Sequence, residues 1–141
     1  GGGNTKSMLA VWREWKLDKF LLNAYNNGKI LCGVSAGAIC WFEQGITDSW
    51  ASNLNTIDCL GFLDEMCCPH YIEESDRQPS VHQMLKDGKV MNGYCLDGGS
   101  AAHFVNEKLI NAISFYTDRK AVFVEKKNSS IIEKQLPHIV L

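Results

Sequence analysis

The stretch that most constrains this chain is Lys29-Ile30-Leu31-Cys32-Gly33-Val34-Ser35-Ala36-Gly37-Ala38-Ile39-Cys40-Trp41-Phe42. Residues 30–34 run apolar without alternation, the pattern of a strand buried on both faces. The run stops at a cluster of small residues, and the spacing predicts a helix over 36–44. Ser35 stands at the junction, flanked by Gly33 and Gly37. That is the layout of a nucleophile elbow, a sharp strand-to-helix turn that lifts a hydroxyl out of the sheet top. The glycines answer a physical need, because the turn crowds the backbone and leaves no room for side chains. Ala36 would then offer its N–H at a helix start, where a developing oxyanion is stabilised. A tight turn capped by an ordinary serine fits the same five residues, since serine is a favoured N-cap.

The rest of the chain supplies alternating elements. Asn4 or Thr5 can cap a helix carrying Met8, Leu9, Val11, Trp12 and Trp15 at helical spacing. A second helix, about 17–26, ends at Asn27-Gly28. Residues 45–61 dissolve into a polar loop around Trp50, and loops of that length are usually functional or disordered. An apolar strand then runs through Met66-Cys67-Cys68 and halts at Pro69, which cannot donate to a ladder. The polar stretch 73–77 can cap a helix running to about 86, and a strand over 90–96 and a hairpin pairing 101–105 with 109–114 follow. Residues 121–125 and 131–134 finish as an antiparallel tail. The predicted architecture is α/β: a three-layer, mostly parallel flavodoxin-like or class I glutamine amidotransferase-like sheet with helices on both faces. At 141 residues the chain fits one domain spanning 1–141.

Charge and cysteine content exclude several classes of function. Fourteen Lys and Arg stand against sixteen Asp and Glu, scattered along the chain, which leaves no basic footprint for nucleic acid. No apolar run reaches membrane-spanning length. The six cysteines form no CxxC pair and several lie in apolar runs, so neither a metal nor a cofactor is expected. Reduced thiols of this kind fit a cytoplasmic setting.

Three polar residues fall where strands should end: Ser35, His70 and Asp97. A serine nucleophile needs a base, and the base needs a group to fix its tautomer. Of four histidines, His70 alone follows a strand and a proline; His82 falls on a helix, His103 in a hairpin strand and His138 in an apolar tail. The literal Gly-x-Ser-x-Gly match suggests an α/β-hydrolase esterase. That fold, however, places its acid between the serine and a late histidine, whereas His70 comes one strand after Ser35.

Gly1-Gly2-Gly3-Asn4-Thr5, Gly33-Val34-Ser35-Ala36-Gly37-Ala38 and Pro69-His70-Tyr71 together resemble the peptidase E family. These are serine peptidases related to aspartyl dipeptidase and cyanophycinase, on a class I glutamine amidotransferase-like fold. The resemblance extends to about Phe104 and implies Ser35 as nucleophile and His70 as general base. It also implies an oxyanion hole of Ala36 with Gly2 or Gly3, and a small acidic peptide of the Asp-X kind as substrate. Arg77 is the candidate cation for such a substrate. The family's acid precedes a glycine; aligning that segment with Asp97-Gly98-Gly99-Ser100 puts Gly98 at the acid position and Asp97 one residue early. A one-residue offset on a strand turns a side chain to the other face. Asp97 is therefore the first candidate for the third member, with Glu73, Glu74 or a bare Ser–His dyad as alternatives. Members of the family carry a further part before the glycine loop, so the resemblance implies a shortened version, with the glycines either an internal loop or a tag remnant. An unpartnered sheet edge would then invite a homodimer. A catalytically silent fragment or interaction module with the same motifs remains the other class of function.

Overall fold

The computed structural model describes residues 1–141. Asn4 starts the first helix: its side-chain oxygen accepts the Ser7 N–H at 2.8 Å, opening α1 (Thr5–Glu14). Lys16, in the left-handed conformation, breaks the chain before α2 (Leu17–Asn26). Gly28, at φ +74°, ends α2 by letting the Lys29 N–H reach the Ala24 carbonyl at 3.0 Å. Then come α3 (Ala36–Ile39), β1 (Phe42–Thr47), β2 (Asn55–Asp58), β3 (Leu63–Pro69) and α4 (Arg77–Lys86). They are followed by β4 (Gly93–Leu96), β5 (Ser100–Val105), β6 (Lys108–Ser114), β7 (Ala121–Lys127), β8 (Ser130–Gln135) and β9 (His138–Val140). No helix is long and apolar enough to cross a membrane.

Six strands form one sheet in the order β2-β1-β3-β4-β7-β8, and β5-β6-β9 form a second. In the six-stranded sheet β1/β3 and β3/β4 are parallel and β1/β2, β4/β7 and β7/β8 antiparallel; in the second, β5/β6 is antiparallel and β6/β9 parallel. The α/β class holds, but the sheet is mixed rather than mostly parallel. The residues expected as an antiparallel tail do pair antiparallel, as β7 and β8, and form two strands at one end of this sheet. Gly93 shows how tightly the parallel centre is drawn, for a Cβ there would collide with the Met66 backbone.

Strand alternation sorts β3 between two cores. Met66 and Cys68 face one side with Tyr71, Val81, Leu85, Val90, Val122 and Val124, covered by α4. Cys67 faces the other, with Ile39 of α3 and Phe42, Leu96, Ala112 and Leu136. There Phe42, Tyr94, Phe104 and Phe123 meet at ring centroids 5.1–5.8 Å apart, three of the four ring pairs at steep angles, and tie the hairpin sheet to the main one. A smaller cluster joins Leu9 of α1 to Cys40 and Cys59. The Arg13 guanidinium also donates to the Asp58 and Cys59 carbonyls at 2.8 and 2.7 Å.

Two expectations fail at the opening stretch. Residues 30–34 form no strand: Ile30 is 92% exposed and Val34 62%. Apolar character makes a buried strand only when neighbours pair with it, and here β2 has taken the outer edge of β1. The helix expected over 36–44 stops at Ile39, after which Phe42 to Thr47 turn into strand β1. Gly45 makes the strand fit, since a Cβ there would press on Cys59 and Ile39 at 3.1–3.3 Å. Within the 45–61 loop, β2 went unforeseen because its sequence, Asn55-Thr56-Ile57-Asp58, carries a single large apolar residue.

Candidate active site

Ser35 sits in a conformation its residue type avoids, φ 53° and ψ −118°, as the pivot between the extended 30–34 run and α3. Such strain persists only where the surroundings enforce it. They do so here through the two flanking glycines. A Cβ on Gly33 would overlap the Gly37 carbonyl, and one on Gly37 would stand 2.9 Å from the Gly1 carbonyl oxygen. The Gly37 N–H donates to the carbonyls of Gly1 and Val34 at 3.1 and 3.0 Å, which pins the N-terminal glycines over the turn. Gly2 lies directly on the serine: a Cβ there would be 3.4 Å from Ser35 Cβ and 3.8 Å from Oγ. Gly3, at φ +139°, meets nothing within 4 Å. Ala36 is buried and opens α3, whose four residues offer N–H donors but little accumulated dipole.

His70 hangs from the end of β3, turned out of the ladder by its own left-handed conformation at φ 57°. Its Nε2 lies 3.0 Å from Ser35 Oγ and its Nδ1 3.2 Å from Glu73 Oε1. A carboxylate can only accept, so the proton sits on Nδ1 and donates to Glu73. Nε2 is then left to accept the Ser35 hydroxyl proton. Burial pushes the Glu73 carboxyl up. The Gly98 N–H, its own N–H and His70 outweigh burial and hold it below the usual carboxylate range. The Arg119 guanidinium stands 3.8 Å from the other Glu73 oxygen.

The remaining candidates lie elsewhere in the architecture. Asp97, 5% exposed, makes no hydrogen bond to His70; its carboxylate accepts the Lys120 N–H at 2.8 Å. Burial and the nearby Glu73 charge raise its carboxyl, against the pull of the Lys120 N–H. Asp97 stands in the turn past the end of β4 and does not reach His70; the carboxylate beside His70 Nδ1 is that of Glu73, in the loop after β3. Glu74 is directed away, bonded to Arg77 Nε at 2.6 Å. Arg77, the candidate cation for an acidic substrate, is buried as a structural residue: it is 4% exposed and held by Glu74, the Ile46 carbonyl and, at 3.9 Å, Asp48. The guanidinium beside the triad is that of Arg119, which carried no sequence signal beyond a charge between two strands. All six cysteines are unpaired, and burial lifts Cys40 and Cys59 to about 12. No group of three or more metal-ligating side chains occurs.

A hydroxyl, an imidazole and a carboxylate in line can move a proton from serine to a leaving group. A family model described as Peptidase family S51 matches residues 1–112. An uncharacterized peptidase of Bacillus subtilis (strain 168), YgaJ, is 45% identical over 137 residues, covering 97% of this chain. The chain spans 59% of that relative's length.

Proposed function

The chain belongs to peptidase family S51, and from that premise we propose that it is a serine-type peptidase working through an acyl-enzyme on Ser35. The observation that carries the reading is the line Ser35 Oγ, His70, Glu73, at 3.0 and 3.2 Å. Ser35 Oγ attacks the scissile carbonyl carbon while its proton passes to His70 Nε2. The carbonyl π pair moves onto oxygen, which the N–H of Ala36 and that of Gly2 or Gly3 receive. As the tetrahedral centre collapses, the C–N bond breaks and His70 returns the proton to the departing amine. Water, deprotonated by the same imidazole, then releases the acid and regenerates Ser35. Glu73 keeps Nδ1 protonated and compensates the imidazolium that forms in both halves.

The substrate we propose is a small acidic peptide, Asp-X in kind. With Arg77 buried, the support for that choice is Arg119, a third exposed and adjacent to the triad. No nucleic acid or membrane partner is proposed; a second copy across the exposed 30–34 run is. Six unpaired thiols support a cytoplasmic setting. The test is hydrolysis of an Asp-X dipeptide by the wild-type chain and by Ser35→Ala. The reading expects turnover to vanish in the variant with the fold retained, and undiminished turnover overturns it. A second reading, a silent fragment that keeps the motifs, is favoured by the unpaired run leading into Ser35. It expects neither turnover nor reaction of Ser35 with a fluorophosphonate.

A further inference from the structure

Gly98 is a glycine its own backbone does not require. The glycines in left-handed conformations are Gly3, Gly28, Gly61, Gly88 and Gly99, and Gly98 is not among them. What excludes a side chain at 98 is a neighbour: a Cβ built there would run into Glu73 Oε1 and stand 3.0 Å from its Cδ. The Glu73 carboxylate therefore occupies the space that a residue-98 side chain would take, and the Gly98 N–H faces it and favours its ionised form.

The turn that carries Gly98 is held firmly. The Asp97 N–H donates to the Lys120 carbonyl at 3.0 Å, and the Lys120 N–H returns a bond to Asp97 Oδ2 at 2.8 Å. Ser100 Oγ bonds the Asp97 and Lys120 carbonyls at 2.8 and 2.9 Å, and the Phe115 N–H reaches the Gly99 carbonyl at 3.0 Å. This gives buried Asp97 a role in fixing the turn. Glu73, by contrast, is a part-exposed side chain in a loop, and without a seat it would sample several rotamers.

We infer that the slot behind His70 accepts one carboxylate deliverable from either of two backbone positions, 73 or 98, and that Gly98 is a positioning residue whose missing side chain seats Glu73 against His70 Nδ1. The inference rests on the peptidase reading of Ser35 and His70. It makes the pair 73/98 reciprocal: a side chain at 98 displaces the native acid, and an acid at 98 substitutes for it. Glutamate is the replacement to use, because its carboxyl carbon lies two bonds beyond Cβ, near the 3.0 Å that separates the built Cβ from the native Cδ.

The experiment uses the full chain as wild type, Glu73→Ala, Gly98→Ala and the double variant Glu73→Ala/Gly98→Glu. Two readouts are taken: the rate of Ser35 labelling by a fluorophosphonate, and the low-field proton resonance of His70 Nδ1–H, which needs no turnover. Both single variants should lose the resonance and slow labelling, by up to about 10⁴-fold, the cost of losing the group that orients a catalytic histidine. The double variant should recover the resonance and label at least about tenfold faster than Glu73→Ala. Wild-type behaviour of Gly98→Ala, or a folded double variant no better than Glu73→Ala, overturns the inference. If the double variant does not fold, Gly98→Ala alone decides. A wild type that shows the resonance but never labels defeats the nucleophile reading while leaving the acid slot intact. Labelling without recovery defeats only the slot.

Discussion

The two halves of the candidate site rest on unequal foundations. His70 extends from β3, which lies inside the six-stranded sheet with buried residues packed on both faces. Glu73 follows three residues later against the braced 97–100 turn. Ser35 instead is reached through 30–34, a run that pairs with nothing, and through α2, which has no buried residue. What holds Ser35 is local: two glycine contacts, the Gly1 clasp on Gly37, and α3 set into the core by Ile39. Backbone crowding can thus define an elbow without a flanking ladder, while a base at a strand end takes its precision from the sheet.

The sharpest way to break this comparison is chemical. Glu73→Gln should cut activity by up to about 10⁴-fold, because an amide can hold the imidazole in the wrong tautomer and cannot balance its charge. Asp97→Asn should leave activity within a few-fold and change stability by no more than about 1 kcal/mol, since the amide oxygen can still accept the Lys120 N–H. The pH dependences should differ in sign. The Glu73 carboxyl is depressed in the fold, so its contribution is full above the ordinary carboxylate range and lost as pH falls through the folded value. Asp97 is raised, so its contribution is full at low pH and lost as pH rises through its folded value; Asp97→Asn removes that dependence. Activity profiles and pH-dependent unfolding of the two variants check this, and an Asp97→Asn enzyme as damaged as Glu73→Gln would reassign the acid.

A second contrast is energetic. Leu85→Ala, in the core under α4, should cost about 2–5 kcal/mol. Ile30→Ser should shift stability by no more than about 0.5 kcal/mol despite the apolar sequence around it. Denaturant melts of both variants measure the difference, and a large Ile30→Ser loss would show that the run is covered in solution. Amide exchange gives a third test: β3 amides should exchange through global opening, and 30–34 amides far faster. The smallest expected effect concerns association. If a second copy pairs along 30–34, Ile30→Lys should weaken self-association on sedimentation, and protection of those amides should rise with protein concentration.

Much of this was legible in the residues. The Asn4 cap, the stop at Pro69 and the β5/β6 hairpin follow from local chemistry that tertiary context leaves alone, and the strand-end positions of Ser35 and His70 made them candidates for the contact the fold forms. The failures share one cause. Residues 30–34 have the composition of a central strand, but burial is a property of neighbours, which apolar residues cannot report about themselves. Arg77 reads as a cation for an acidic substrate, yet the fold buries it between Glu74 and the β1 carbonyl of Ile46. Glu73 could be named only as an alternative, because which carboxylate reaches His70 depends on the turn after β4, where Gly98 leaves the space.

Activation of Ser35 by His70 is what separates a working peptidase from a silent fragment. The most direct measurement is the rate of fluorophosphonate labelling, with the modified residue located by mass spectrometry, in wild type and in His70→Ala. A single adduct on Ser35, forming at least about 10³-fold faster in wild type, is the predicted result. Equal rates in the two proteins, or no adduct on Ser35 in the folded wild type, would contradict it.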